Sequence, residues 1–353
     1  MSGWRGLWTT ARPWLPFVIV AALLYFLVKA VDPANLVNAG RRFNWLYLLP
    51  LAGTFVLYLI LRALRWHLLI RTVQAPNTAF DSLLLFVAAQ AAVLIPAGQF
   101  LLPVLQKSQF GTLIRRSAAT VLVQELLFGI LVLPAALPGA PGYRLGDWLL
   151  IGAFIVSVGA GVVMMHEGTS GLGLAALQRI PFLRKHHAEF RELRDSVAFV
   201  AGTREAVLGS VLDLGAIAAA GTGLYVVLVG LGEAGPRWTG ALGTYAFGNA
   251  VATLSSLPGG LGANEDVSTA VLSHMGVQAG PAAAAVLIFR AVTLLLGTIL
   301  GWAALLIYRR RFHVQPSLSG MVSAVQRSEH EAEAAVEPVR PERDPAVAPL
   351  KEG

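Results

Sequence analysis

Few side chains in this sequence could do chemistry, and several of them lie in apolar surroundings. Glu125, Asp213 and Arg290 each interrupt a run of aliphatic residues. Glu265 and Asp266 follow a break, Leu257-Pro258-Gly259-Gly260-Leu261-Gly262-Ala263-Asn264, that holds three glycines and a proline. A guanidinium matches the oxygens of a phosphate. An intramembrane carboxylate can carry a proton, and a helix end leaves backbone amides that can face an anion. Three roles for Arg290 stand side by side: a pair with Glu125 that holds two halves in register, a receptor for a lipid phosphate, or a partner of a proton-carrying carboxylate. Glu265 and Asp266 either favour the start of a helix capped by Asn264, or stand near a cationic or zwitterionic headgroup. Gln90 and Asn249, on the helices leading into two breaks, are helix–helix hydrogen bonds or ligands.

Other chemistry is excluded or unsupported. There is no cysteine, so disulfides, thiolate metal sites and cysteine nucleophiles are out. His67, His186, His187 and His274 are scattered, and neither a His-Glu-x-x-His nor a Walker motif occurs, so metal hydrolysis and ATP hydrolysis have no visible basis. No catalytic residue, metal or cofactor is expected.

The elements that must position these residues are membrane helices. The chain is 353 residues long, 56% hydrophobic and only 13% charged, with a mean hydropathy of +0.64, against about 25% charged residues in soluble domains. Its net charge of +7 is spread over loops without a basic stripe, which speaks for topology rather than nucleic acid. Apolar runs at 14–31, 45–64, 118–137, 148–165, 206–231 and 281–307 approach the ~20 residues that cross a bilayer. Two more, 80–105 and 239–277, are interrupted at Ile95-Pro96-Ala97-Gly98 and at Leu257-Pro258-Gly259-Gly260. The expected fold is an all-α polytopic membrane protein with six full spans and two broken helical hairpins, or about eight spans.

Lysine and arginine set the expected orientation. With a cytoplasmic N-terminus (residues 1–13), seventeen basic residues fall inside, Arg62 and Arg65 among them, and five outside. Both termini are therefore expected in the cytoplasm. Trp45, Tyr47, Trp148 and Trp238 open spans as interfacial anchors would. Residues 138–165 form an outer loop and span. In the polar loop 166–205, Phe190, Leu193, Val197 and Val200 share one helical face, which reads as an amphipathic helix on the membrane surface or as a docking face for a protein partner. Residues 308–353 read as a disordered cytoplasmic tail.

The two breaks look like copies. Pro258 follows Pro96 by 162 residues, and Val286 follows Val121 by 165. Similar offsets at two landmarks argue for two units, 14–137 and 206–307. With three spans in each, the second copy starts on the opposite side, giving inverted repeats of the kind that place transport sites at interrupted helices.

Two motifs carry a family likeness. Leu61-Arg62-Ala63-Leu64-Arg65-Trp66 and Pro258-Gly259-Gly260-Leu261-Gly262 with Glu265 resemble the signatures of the flippase-like membrane region of lysylphosphatidylglycerol synthases and its stand-alone relatives. The likeness covers roughly residues 10–310. It implies a bacterial-type inner-membrane protein that handles membrane lipids, without the synthase domain. Where the family often has Gly-Glu-x-x-Arg, this chain has Gly98-Gln99-Phe100-Leu101-Leu102, and Asn264 stands where an arginine often precedes the glutamate. The candidate substrate-handling set is Pro258, Gly259, Gly260, Gly262, Asn264, Glu265, Arg290, Glu125 and Asp213. Pro96, Gly98 and Gln99 form the structural break of the first half. The expected function is a lipid or lipid-linked-molecule flippase; the rivals are a membrane-embedded headgroup enzyme and a non-transporting scaffold.

Overall fold

The computed structural model describes residues 33–92, 101–111, 114–139, 148, 151–152, 154–159, 195, 197–233, 235–255 and 260–312. The expected span 14–31, half of 148–165, most of the 166–205 loop and the tail beyond 312 lie outside them. So do Pro96, Gly98, Gln99, Pro258 and Gly259.

All regular structure among the described residues is helical. Helix α1 spans Pro33–Arg42, α2 Leu48–Thr72, α3 Ala79–Ala89, α4 Leu101–Phe110 and α5 Ile114–Ala136. Then follow α6 Arg204–Gly230, α7 Trp238–Ser255, α8 Ala263–His274 and α9 Ala279–Phe312. Among the described residues, four helical stretches are long and apolar enough to cross a bilayer: Trp45–Thr72, Arg116–Gly139, Arg204–Gly230 and Ala279–Phe312. They coincide with four of the expected spans and extend them by up to eight residues at an end. The sequence α2–α3–break–α4–α5 recurs as α6–α7–break–α8–α9: long helix, short helix, break, short helix, long helix.

The long helices are apolar on both faces, for different reasons. On α2, Leu49, Leu57, Ile60 and Leu64 are exposed, whereas Leu51, Leu59, Ala63, Trp66, Leu69 and Ile70 are buried. In water the exposed set would be a liability; against lipid it is the ordinary surface of a span. Lipid supplies no hydrophobic drive between helices, so close packing through small residues must hold them together. Helix α6 lies along α2 with its glycines against α2 side chains. A Cβ at Gly209 would sit 3.1 Å from Arg65 Cγ, and one at Gly223 would sit 3.0 Å from Thr54 Oγ1.

Both interrupted segments fold back on themselves. In the first, Asn77, just before α3, exchanges two amide hydrogen bonds with Gln106 of α4, at 2.8 and 2.7 Å. The start of α3 thus meets the end of α4. Helices α3 and α4 have 11 and 10 residues, about 15–17 Å each, half of a ~30 Å hydrocarbon core. In the second, α7 and α8 run antiparallel. Gly240 packs on Met275 at the open end and Gly248 on Asn264 and Ser268 farther in, with Gly260 on Ala252 at the tip.

Helix α9 touches both hairpins, at opposite ends. Near its C-terminus, Arg311 pairs with Asp81 of α3 at 3.1 Å and the Tyr308 hydroxyl meets Ser108 of α4 at 2.9 Å. These are the open ends of the first hairpin. Its N-terminus follows directly on α8, at the open end of the second. The tips reach α9 in between: the Gln90–Ala92 turn packs on Gly301, and the turn before α8 meets Arg290 through Glu265.

One expectation about the polar loop changes. Val200 and Val197, described at the loop's end, are buried among Leu69, Ala119, Val123 and Ala206 rather than laid on lipid. The apolar face there meets the ends of the membrane helices. Phe190 and Leu193 lie outside the described residues.

Candidate functional site

The second break is built around Glu265. Gly262 immediately precedes α8 with φ of +85°, a backbone that a side chain would strain. Its N–H donates to Glu265 Oε2 at 2.7 Å, the reach-back half of a capping box. Glu265 therefore does the capping expected of Asn264. Asn264, in the first turn, instead accepts from the Ser268 hydroxyl at 3.1 Å. The other oxygen, Glu265 Oε1, accepts from Arg290 Nε at 3.0 Å, with Glu265 1% and Arg290 16% exposed. One carboxylate thus ties the break, the start of α8 and the middle of α9 together.

The pair of Arg290 with Glu125, one of the three roles open to Arg290, is not what forms. Glu125 accepts from Arg62 Nη2 at 2.7 Å. Arg62 also reaches Asp213 Oδ1 at 3.4 Å, and Arg65 pairs with Asp213 Oδ2. Arg62 and Arg65 are 6% and 0% exposed, so they are not the cytoplasmic surface charges expected of them. The reason is helical phase. Tyr58, Arg62, Arg65 and Leu69 recur at four, three and four residues along α2 and share the face turned to α5 and α6. The Arg62 guanidinium also lies over the Phe128 ring, 4.3 Å from its centre, a favourable cation–π arrangement.

A cavity of about 130 Å³ opens between the hairpin tips, lined by Tyr58, Gln90, Tyr245, Asn249, Arg290 and Thr293 among others. That is room for a few waters or a phosphate-sized group. Its walls come from α2, α6, α7 and α9 and from the Gln90 turn, so both halves of the chain contribute. Gln90 and Asn249 both face it; Gln90 Nε2 also donates to Phe86 O at 3.5 Å. Of the candidate residues, Arg290 lines the cavity and Glu265 holds it. Gly260, Gly262 and Asn264 shape the break behind it. Glu125 and Asp213 belong to the separate Arg62–Arg65 cluster, one helical turn along α2 from Tyr58.

Sequence reasoning missed Arg62, Arg65, Tyr58, Tyr245, Thr54 and Thr293 as site residues. The available signal was the phase of Tyr58, Arg62 and Arg65 within one apolar run. Asp213 in the facing span is their counter-charge.

Helices of membrane length, broken hairpins between them and a polar cavity lined from both halves define a multi-pass, all-helical membrane protein. The chain belongs to the family described as the lysylphosphatidylglycerol synthase TM region, whose model matches residues 14–301. No curated protein matches it.

Proposed function

We propose that the protein moves a lipid or lipid-linked molecule across the membrane, with its headgroup passing through the cavity between the two hairpin tips. The observation that carries this reading is the cavity that Gln90 of the first hairpin, Tyr245 and Asn249 of the second, and Arg290 of α9 line together. Interrupted helices at corresponding positions, converging on one polar site, are the architecture of many secondary transporters. The hairpins open toward opposite ends of α9, as an inverted repeat requires. Backbone left unpaired at membrane depth is tolerable where it lines a wet cavity. The family's membership in lipid metabolism by name points the same way.

The end of the molecule carrying Arg71, Lys107, Arg116, Arg204 and Arg309–Arg311 is assigned to the cytoplasm. These residues are exposed and keep the positive-inside excess even with Arg62 and Arg65 removed from the count. The family likeness supports a bacterial-type inner membrane as the protein's place. Membrane lipids are its partners, and no reaction, metal or cofactor is assigned.

The test is reconstitution with fluorescent phospholipids of anionic, zwitterionic and cationic headgroup. Wild-type protein speeds transfer between leaflets of at least one of them, and Arg290→Ala and Glu265→Ala abolish that gain. Transfer that is unaltered by both substitutions sinks the site assignment.

A further inference from the structure

The cluster formed by Arg62, Arg65, Glu125 and Asp213 has unfilled bonding capacity. Among the described residues, Nε of Arg62 and Nε and Nη2 of Arg65 are buried without a hydrogen-bond acceptor. Buried N–H groups are rarely left so, because desolvation without a partner is costly. Three donor nitrogens on two adjacent guanidinium groups match the oxygens of a phosphate-class anion. Arg290, by contrast, is already met by Glu265.

The four members also differ in access. The side chains of Arg65 and Asp213 are 0% exposed and that of Arg62 is 7%, but that of Glu125 is 38%. Glu125 is the member a proton can reach. Around it stand Arg62, Arg65 and Tyr58 from α2 and, beyond Arg62, Asp213 from α6 and Tyr245 from α7. Helix α4 also packs on α5; its titratable residue, Lys107, lies in its last turn.

Charge balance links the two vacancies. As it stands, the cluster sums two guanidinium groups against two carboxylates, to zero. An added monoanion alone leaves a buried negative charge, and a proton on Glu125 alone leaves a positive one; each is expensive. Both together restore zero. Each then favours the binding of the other.

We propose that this cluster binds one proton, on Glu125, together with one phosphate-class anion, on Arg62 and Arg65. Protonation turns the Glu125–Arg62 ion pair into a weaker contact and leaves the Arg62 fork to the anion, while Asp213 keeps Arg65 in place. Tyr58 lines the cavity and lies one turn from Arg62, so the cluster is a coupling site beside it; in that sense the inference rests on the transport reading. The anion is a lipid phosphate or free phosphate.

The experiment uses the full chain in phosphatidylcholine nanodiscs. Short-chain phosphatidylglycerol and, separately, inorganic phosphate are titrated in by calorimetry, in buffers of different ionisation enthalpy and over a pH series. The expected result is uptake of about one proton per bound anion, with affinity falling about tenfold per pH unit over the range in which that uptake is seen. Glu125→Gln binds without uptake and without that pH dependence. Uptake with inorganic phosphate marks a free-anion site, and uptake with the lipid alone marks a headgroup site; either supports the cluster. Wild-type binding that is pH-independent, uptake that persists in Glu125→Gln, or no binding of either probe overturns it. Lipid transfer in proteoliposomes is measured on the same protein. Transfer without proton-linked binding keeps the transport function and discards this inference; proton-linked binding without transfer does the reverse.

Discussion

Glu265 carries three duties with one carboxylate, and that makes it the most sensitive residue of the break. Removing either partner of its pair with Arg290 breaks an ion pair whose two side chains are mostly buried, which costs about 3–5 kcal/mol. Glu265→Gln and Arg290→Gln should each lower the melting temperature in detergent substantially, while the double substitution recovers much of the loss. If the double mutant melts at the sum of the two single losses, the pair is not coupled. Gly262→Ala should cost about 1–3 kcal/mol through backbone conformation alone, and melting in the same detergent would show it. The importance of the Gly262–Glu265 motif was visible in the sequence, because a glycine-rich break among apolar residues has few cheap explanations. Partner choice was not. Arg290 and Glu125 sat opposite each other in the aligned repeats, but repeat position is not contact. Arg62 and Arg65 were misread because a hydropathy window ends where charges begin, whereas α2 continues to Thr72.

At the scale of elements, the first hairpin is held at its open end by polar bonds and at its tip by close backbone contact. Asp81 illustrates the first. Its Oδ2 accepts from Thr78 Oγ1 at 2.6 Å and from Thr78 N at 3.3 Å, and its N–H donates to Thr78 Oγ1 at 3.1 Å, while Oδ1 takes Arg311. It caps α3 and anchors α9 at once. Asp81→Ala should therefore cost about 1–2 kcal/mol, somewhat more than a simple cap, and hydrogen exchange should show faster opening at the start of α3. The tip contacts depend on small residues. A Cβ at Gly301 would lie 2.9 Å from Ala91 Cα, so Gly301→Leu should push the Gln90 turn off α9 and change the cavity before it unfolds the protein. Long helices were legible because a span needs a long apolar run. The fold-back of α3 on α4 was one of two expectations, the other being full spans; its closure by the reciprocal Asn77–Gln106 amides, 29 residues apart, was not legible.

For the whole molecule, the two ends of α9 mark the two faces of the membrane. The native chain has no cysteine, so single cysteines at Arg310 and at Gly276 can be read cleanly with a thiol reagent that does not cross membranes. In right-side-out and inverted vesicles they should react from opposite sides, Arg310 from the cytoplasm. Labelling from the same side would contradict the assignment of opposed hairpins. Helix α9 also fixes a phase relation between the two hairpin tips. Arg290 and Gly301 are eleven residues apart, and at 100° per residue that is three turns and about 20°. Both tips therefore read one stripe of a single rigid rod, about 16 Å apart along its axis. A roll of α9 cannot present that stripe to one tip without moving it past the other. One alanine inserted between Leu294 and Gly297 should put the tips about 100° out of step and stop lipid transfer, although α9 stays helical. Four inserted residues, which return the stripe to within about 40°, should restore more of it than one does.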